Sequence, residues 1–375
     1  MSITTRTGVL AGLAAGAIAL TGCGSSGTSA DAGASPDGGS SSAGSSSAAC
    51  ASGSLKAEGS TAQKNAMEQW IKDFQATCSG TTITYNGTGS GAGVSNFIAK
   101  QADFAGSDSA LDPANGEVAK AAAVCGSPAL NLPMVTGPIA VAYKVNGVKD
   151  LVLTPKVITR IFLGKITTWN DPAIKALNAN ASLPSTPITV FYRSDSSGTT
   201  QNFEKYLAAN DPAGFTSKPD KDSSKAGFAG QGKAGSQGVQ QAIGSTEGGI
   251  GYVEWSFAVS GDLDTARVDN GAGPVELTAD SAAAAVAAAK VASNGGKDLT
   301  LKLDYAARAS GAYPIILVTY EIVCSKYADP KVGSLVKSFL TYTAGDGQAA
   351  LQDLGYAPLP TEIQTQVKAA VESIS

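Results

Sequence analysis

Three short polar segments, each lying just before a predicted helix, contain the residue types that bind small anions. Their sequences are EGST at 58–61, GTGSGAG at 87–93 and RSDSSGT at 193–199. Each places Ser or Thr at a helix start, where the first backbone N–H groups have no partner within the helix and the helix dipole adds partial positive charge. Because glycine also lets a ligand approach the backbone closely, each segment is a candidate anion cradle.

Each of these segments, taken alone, is also explained by helix capping and turn formation, since Ser and Thr are favoured N-caps and glycine is frequent in turns. None is a Walker A loop, because no Gly-Lys-Ser or Gly-Lys-Thr follows. The second segment spaces its glycines every two residues, which does not match the dinucleotide-binding fingerprint. The three segments therefore indicate anion binding only when they are considered together.

The composition argues against several kinds of function. The chain of 375 residues contains no histidine, so neither a Ser-His-Asp nor a Cys-His nucleophile system can be assembled, and the commonest metal ligand is missing. No cluster of residues has metal-ligand spacing, so we expect no metal and no cofactor. The missing histidine also favours a protein that is not an enzyme; the alternative is chemistry by carboxylate, lysine or tyrosine side chains. A net charge of −4 argues against a nucleic-acid partner, which needs clustered Lys and Arg.

The first residues have the pattern of a lipoprotein signal peptide. Arg6 is the only charged residue before a small and apolar run at 8–20, and the Leu-Thr-Gly-Cys sequence that ends at Cys23 matches a bacterial lipobox. We expect 1–22 to be removed and Cys23 to carry the lipid; the alternative is an uncleaved anchor helix. The Gly-, Ser- and Ala-rich stretch that follows cannot bury enough apolar surface to fold, so 23–50 is predicted to be a disordered tether.

Four cysteines remain once Cys23 is set aside for the lipid: Cys50, Cys78, Cys125 and Cys324. An even number of cysteines in an exported chain suggests two disulfides, for which three connectivities are possible. The alternative is that all four are buried free thiols.

Apolar runs alternate with helical patterns along the rest of the chain. Strand-like runs lie at 82–86, 139–145, 187–192, 249–253 and 315–323. Helical patterns lie at 62–77, 94–100, 156–162, 200–209 and 281–292. Alternation of this kind predicts an α/β fold with parallel or mixed sheets, and a chain of this length usually divides into two domains.

The polar segments and the sequences between them resemble the substrate-binding lipoprotein of the phosphate-specific (Pst-type) ABC transporter. The similarity extends from residue 55 to the C-terminus. It is carried by GTGSGAG at 87–93, DFAGSD at 103–108, GKITTWNDP at 164–172, RSDSSGT at 193–199, GIGYVE at 249–254 and YAPLP at 356–360. The agreement in order and spacing makes the resemblance more specific than any single motif.

This resemblance implies a type II periplasmic-binding-protein fold, the venus flytrap, in which two α/β lobes are joined by crossing hinge strands. The first lobe is expected at 51–136 plus 312–375, and the second at 137–311. The ligand site of such a protein lies between the lobes, which close around the ligand. We predict a disulfide Cys50–Cys78, because Cys50 opens the first strand and Cys78 ends the helix after it. We also predict Cys125–Cys324, because Cys125 lies just before the crossing strand and Cys324 ends the return strand.

The resemblance also implies a set of phosphate ligands. These are Thr61, Ala62, Ser90, Asp108, Arg193, Ser197, Gly198 and Thr199, with Ser60 and Asp195 in supporting positions. Ala62 stands where many members of the family have Phe, so only its backbone N–H is expected to contribute. Asp108 is expected to accept the proton of a P–O–H group, and Asp195 is expected to hold Arg193 in place.

The implied function is to capture inorganic phosphate and deliver it to an ABC importer. The protein would be held by its lipid at the outer face of the cytoplasmic membrane, with the membrane subunits of the importer as partners. One alternative is a receptor for another oxyanion, such as sulfate, molybdate or tungstate. A less favoured alternative is a phosphatase that uses carboxylates.

Overall fold

The computed structural model describes residues 50–287, 290–292 and 296–375. The predicted signal peptide at 1–22, the lipidated Cys23 and all of the predicted tether except Cys50 lie outside the described residues. Among the residues that are described, no helix is both long and apolar enough to cross a membrane.

The described part of the chain alternates strands and helices. The strands are β1 Gly53–Gly59, β2 Thr81–Gly87, β3 Phe104–Ser107, β4 Ala129–Lys144, β5 Val152–Leu153, β6 Thr189–Arg193, β7 Gln231–Lys233, β8 Gly249–Glu254, β9 Asp264–Thr265, β10 Arg267–Asp269, β11 Pro274–Val275, β12 Lys290–Val291, β13 Leu301–Lys302 and β14 Ile316–Cys324. The helices are α1 Lys64–Thr77, α2 Ser90–Ile98, α3 Glu117–Cys125, α4 Pro155–Phe162, α5 Pro172–Lys175, α6 Gly198–Asn210, α7 Gly235–Gly244, α8 Trp255–Ser260, α9 Ala279–Ala287, α10 Pro330–Ala344 and α11 Thr361–Glu372.

The three helices that follow the polar segments begin at residues other than those predicted. α1 begins at Lys64, later than predicted, because the residues before it form a turn in which Lys64 N donates to Thr61 O at 3.3 Å. α2 and α6 begin earlier than predicted, at Ser90 and Gly198. The glycines that suggested a loop before α2 are therefore partly inside the helix.

The helix predicted at 281–292 is wrong at its C-terminal end. α9 ends at Ala287, and Lys290–Val291 forms β12, which pairs antiparallel with β13. The run of alanines favours a helix, but the pairing of Val291 with Leu301 decides the local structure. Tertiary contacts override helix propensity at this point.

A long strand joins the two halves of the molecule. The strand order is β2-β1-β3-β14-β4-β8-β6-β7. The first part of β4 pairs antiparallel with β14 up to Pro138, and its second part pairs with β8 from Ile139. β4 therefore passes from one half to the other, as a crossing strand of the predicted fold should.

Two hydrophobic cores lie on either side of this crossing. The first contains Trp70, Phe104 and Phe339, and the second contains Trp169, Phe203 and Tyr252. We call the elements around the first core (β1–β3, α1–α3, α10 and α11) the first lobe, and those around the second (β6–β8, α4 and α6–α8) the second lobe. The α/β architecture and the two lobes confirm the predicted fold class. The predicted limits of the lobes along the chain stay a prediction.

Two disulfides cross-link elements of the first lobe and β14. They join Cys50 to Cys78 and Cys125 to Cys324, which are the two predicted pairs. The first pair joins the chain just before β1 to the end of α1. The second joins the end of α3 to the end of β14, so the returning strand is tied to an element far away in sequence.

Removing the Cys125–Cys324 disulfide is expected to lower the free energy of unfolding by about 2–4 kcal/mol. Its cysteines are 199 residues apart, so cutting it releases a much longer loop in the unfolded chain than cutting Cys50–Cys78, whose cysteines are 28 apart. Urea titration of Cys125→Ser/Cys324→Ser and of the matched Cys50→Ser/Cys78→Ser variant measures both losses. A larger loss in the second variant would contradict this expectation.

Candidate oxyanion site

The site begins where two parallel strands of the first lobe end side by side. β1 and β3 pair through Gly59 and Gly106. Gly59 has φ +144, and a Cβ there would lie 2.0 Å from Gly106 O, so only glycine allows this approach. Ser60 follows β1 and Asp108 follows β3, so the two side chains meet at the same edge of the sheet, and the Ser60 hydroxyl donates to Asp108 Oδ1.

Asp108 is buried and accepts hydrogen bonds from three hydroxyl groups. Besides Ser60, Thr319 Oγ1 donates to Oδ1 at 2.9 Å, and Thr199 Oγ1 donates to Oδ2 at 2.9 Å. Thr319 lies on β14, which pairs with the first part of β4, and Thr199 lies in the first turn of α6 in the second lobe. A carboxylate has about four acceptor positions on its two oxygens, so one position on Oδ2 is left for a ligand that can donate.

The first turn of α2 packs against this carboxylate. Ser90 Oγ accepts from Asp108 N at 3.1 Å. Gly198, the first residue of α6, approaches both residues so closely that a Cβ there would lie 2.7 Å from Asp108 Cβ and 2.8 Å from Ser90 Oγ. The starts of α2 and α6, which belong to different lobes, therefore face each other across Asp108.

The second lobe contributes a buried arginine. Arg193 ends β6 and is 1 % exposed. Its Nε donates to Asp195 Oδ1 at 2.7 Å and its Nη2 donates to Asp195 Oδ2. Burial opposes ionisation of Asp195, but the hydrogen bonds and charge of Arg193, with the Gly235 N–H, hold the pKa of Asp195 below its ordinary value. Asp195 therefore stays charged and fixes the plane of the guanidinium.

The start of α6 completes the second lobe's contribution. Ser197 is the N-cap of this helix, and its Oγ accepts from Thr200 N at 3.2 Å. Gly198 and Thr199 follow in the first turn, where backbone N–H groups have no partner within the helix. These groups and the start of α2 make a positively polarised surface around Asp108.

The predicted ligands Thr61 and Ala62 also have partners within the protein. Thr61 Oγ1 accepts from Ser236 N at 3.1 Å and lies 3.0 Å from Ser236 Oγ. Ala62 N donates to Ser60 Oγ at 3.0 Å. An anion that uses the Ala62 N–H, as the sequence resemblance implies, would have to share it with Ser60.

Three residues of this site were missed by the sequence analysis. Ser236 is the second residue of α7, after Gly235, and this Gly-Ser pair at a helix start repeats the design of the three polar segments. Thr319 could have been noticed as a small hydroxyl residue in a mostly apolar strand. Asn202 donates to Asp108 O at 2.7 Å and to Gly198 O at 2.8 Å, and nothing in the sequence points to it.

Comparisons with known proteins identify the family of this chain. Residues 44–346 match the family model described as "PBP superfamily domain". Phosphate-binding protein PstS2 of Mycobacterium bovis (strain BCG / Pasteur 1173P2) is 45% identical over 321 residues, which are 84% of this chain and 85% of that protein. The chain belongs to the PstS family within the PBP superfamily. The predicted family is therefore confirmed, and it is a family of substrate-binding proteins.

Solved structures show the same fold as this PstS-family chain. A high-affinity periplasmic phosphate-binding protein, PfluDING, solved with phosphate at pH 8.5, matches with a TM-score of 0.68 and 23% identity, covering 84% of this chain and 93% of that one. A putative phosphate ABC transporter substrate-binding protein from Clostridium perfringens, with bound phosphate, matches with a TM-score of 0.60 and 19% identity, covering 82% and 100%. At these identities the likeness supports the fold alone.

Two further carboxyl groups are buried beside the PstS-type site. Glu254 ends β8, and burial raises its pKa well above the ordinary value, although Ser256 offsets part of this. Glu321 lies two residues after Thr319 on β14, and burial raises its pKa to about 8, with Gln63 offsetting part. Burial therefore favours the neutral, protonated form of both groups, which adds less negative charge next to the site than an ionised carboxylate would. Among the described residues, no cluster could hold a metal ion.

Glu321→Gln is expected to flatten the dependence of stability on pH. Between the unfolded pKa of about 4.5 and the folded pKa of about 8, the folded protein keeps a proton that the unfolded chain releases. Stability therefore falls as pH rises through this window. The variant should gain about 2–4 kcal/mol over the parent at pH 8 and little at pH 4. Urea unfolding from pH 4 to 9, with the exposed Glu372→Gln as control, measures this; an unchanged slope would contradict it.

Proposed function

We propose that this protein captures inorganic phosphate in the cradle between its lobes and delivers it to an ABC importer. The observation that supports this most is the position of Asp108, a buried acceptor among groups that otherwise donate. Phosphate near neutral pH still carries at least one P–O–H group, which can donate to the remaining position on Asp108 Oδ2. The relatives named phosphate-binding protein support the same ligand.

The ligands we propose are those of the sequence analysis. They are Thr61, Ala62, Ser90, Asp108, Arg193, Ser197, Gly198 and Thr199, supported by Ser60 and Asp195. Hydrogen bonds from neutral donors contribute about 0.5–1.5 kcal/mol each, and those that involve a charged group contribute about 1.5–3 kcal/mol. Several such donors on four oxygens can hold a doubly charged anion with one arginine, much of whose charge Asp195 cancels.

The cellular setting is also a proposal. We infer that the protein is anchored by a lipid on Cys23 at the outer face of the cytoplasmic membrane and passes phosphate to the membrane subunits of the importer. This rests on the lipobox and on the name of the Clostridium perfringens neighbour, which is called an ABC transporter substrate-binding protein. Release of the protein by a lipoprotein-specific lipase, and its loss from membranes when Cys23 is changed to Ser, would test the anchor.

Equilibrium dialysis with labelled phosphate tests the ligand directly. One equivalent of phosphate should bind per chain, and an excess of sulfate or molybdate should not displace it, because these anions are unprotonated and would face Asp108 without a hydrogen bond. Displacement by sulfate at similar concentration would contradict the proposal. Incubation with a phosphate monoester should release no phosphate; turnover would instead favour the phosphatase alternative.

A further inference from the structure

A large side cavity lies next to the cradle and has no role in the function proposed above. Its volume is about 780 Å³, within the range of sites for whole small molecules and much larger than one phosphate ion requires. Gly91, Asp108 and Ser196 line it on the side of the cradle. The rest of the wall comes from α2, α6 and β14, from the 109–117 and 218–221 segments, and from residues around β13.

The positive charge of the wall comes from four lysines (Lys205, Lys218, Lys221 and Lys302), which stand beside four carboxylates. Lys205 lies on α6, and Lys221 follows in a nearby segment whose backbone O accepts from Ser197 N at 2.9 Å. Lys221 Nζ is buried and makes no hydrogen bond within the described part of the chain; its nearest carboxylate oxygen, on Glu117, is 3.6 Å away. Lys205 has neither a hydrogen bond nor an ion pair within 4.0 Å among the described residues.

The carboxylates of the same wall already have donors. Asp112 accepts from Ala114 N and from Asn115 Nδ2, both at 2.8 Å. Asp220 accepts from Lys225 Nζ at 2.7 Å. The carboxylate of Glu117 accepts from the backbone N of Asp112 at 2.7 Å, and Asp108 accepts from three hydroxyls. Each carboxylate of the wall therefore accepts at least one hydrogen bond from the protein, whereas the ammonium groups of Lys205 and Lys221 still have N–H donors to offer.

The positive charges of the two lysines also repel each other. Burial lowers the pKa of Lys205, and the positive charge of Lys221 lowers it further, while Asp112 offsets only part of this. Two neighbouring ammonium groups are stabilised when an anion lies between them, because each then gains an attractive partner and their repulsion is shielded.

We propose that the side cavity contains a second, weaker anion site in which Lys205 and Lys221 bind a small doubly charged oxyanion. The lysine pair supplies positive charge and ammonium N–H donors, which bind a protonated and an unprotonated oxyanion alike. Sulfate should therefore bind there as readily as phosphate. An anion held at this position lies beside the cradle, so the site would raise the local concentration of phosphate before capture.

Binding of labelled sulfate to the whole chain tests this site. The protein is first loaded with one equivalent of unlabelled phosphate, which occupies the cradle, and is then dialysed against sulfate at low ionic strength. The parent should bind one sulfate. Lys205→Gln/Lys221→Gln should weaken it by about tenfold or more, since it loses two charge-assisted contacts.

A matched variant separates a specific site from a general effect of charge. Lys165→Gln/Lys175→Gln removes two exposed lysines outside the cavity wall, and it should bind sulfate like the parent. Equal sulfate binding by both double variants, or no sulfate binding by the parent, would overturn the proposal. If the proposed phosphate site is wrong, no phosphate will bind in the first step. The comparison of sulfate binding between the two double variants would then still test whether Lys205 and Lys221 bind an anion.

Discussion

Asp108→Asn is expected to bind sulfate far more tightly than the parent does, while it keeps most of its affinity for phosphate. Sulfate has no proton to donate, so it would meet the Asp108 carboxylate as one charge against another. Two unit charges about 4 Å apart repel by about 4 kcal/mol at an effective dielectric constant of 20. An amide has nearly the same shape and can turn either its oxygen or its N–H₂ group toward the ligand, so the repulsion disappears.

The preference for phosphate over sulfate should therefore fall by roughly 100-fold or more in Asp108→Asn. Competition dialysis with both labelled anions measures this ratio. Asp171→Asn is a suitable control, because Asp171 caps α5 outside the site and Asn is an equally good N-cap. If Asp108→Asn still rejected sulfate as strongly as the parent, the protonation of the ligand would not explain selectivity.

The sequence predicts the parts of this molecule that depend on local chemistry. Helix starts rich in Ser, Thr and Gly were recognisable at 58–61, 87–93 and 193–199, because capping and close approach need those residue types. The alternation of apolar runs gave the α/β class, and the order of the motifs gave the family. Even so, the first residue of each of the three helices was misplaced, since Ser and Gly fit a cap or a first turn equally well.

The contacts between distant segments could not be predicted in the same way. Thr319 reaches Asp108 across 211 residues of sequence, and Ser236 reaches Thr61 across 175. Neither pairing leaves a local pattern, because each depends on how β14 and α7 pack against the first lobe. The hydrogen bond from Ala62 N to Ser60 Oγ could not be predicted either, because every residue except proline has a backbone N–H, whatever its side chain.

Arg193→Ala is expected to weaken phosphate binding by roughly 30-fold to several thousandfold, as for a partner removed from a buried, hydrogen-bonded charge pair. In the structure Nε and Nη2 of the guanidinium donate hydrogen bonds to Asp195, and Nη1 donates to Ser236 Oγ at 3.4 Å. A guanidinium has five N–H groups, so about two remain for the ligand. The variant loses these donors and also leaves Asp195 unpaired near the anion.

The double variant Arg193→Ala/Asp195→Ala separates these two causes. If the unpaired carboxylate is responsible for most of the loss, the double variant should recover much of the affinity; if the donors are responsible, it should not. Circular dichroism and thermal melting of both variants show whether the fold persists, since Arg193 is buried in this arrangement.

The single variant Arg193→Ala also tests whether phosphate binding brings the two lobes together. The proposed ligands Ser90 and Asp108 belong to the first lobe, and Arg193, Ser197 and Thr199 belong to the second, so only the closed arrangement surrounds the anion. A ligand shifts an equilibrium by its difference in affinity for the two states, so phosphate should favour closure and Arg193→Ala should reduce it. Small-angle scattering should show a smaller radius of gyration when the parent binds phosphate and a lesser decrease in the variant. A parent whose radius does not change would contradict closure by the ligand, and a variant that binds and closes like the parent would remove Arg193 from the site.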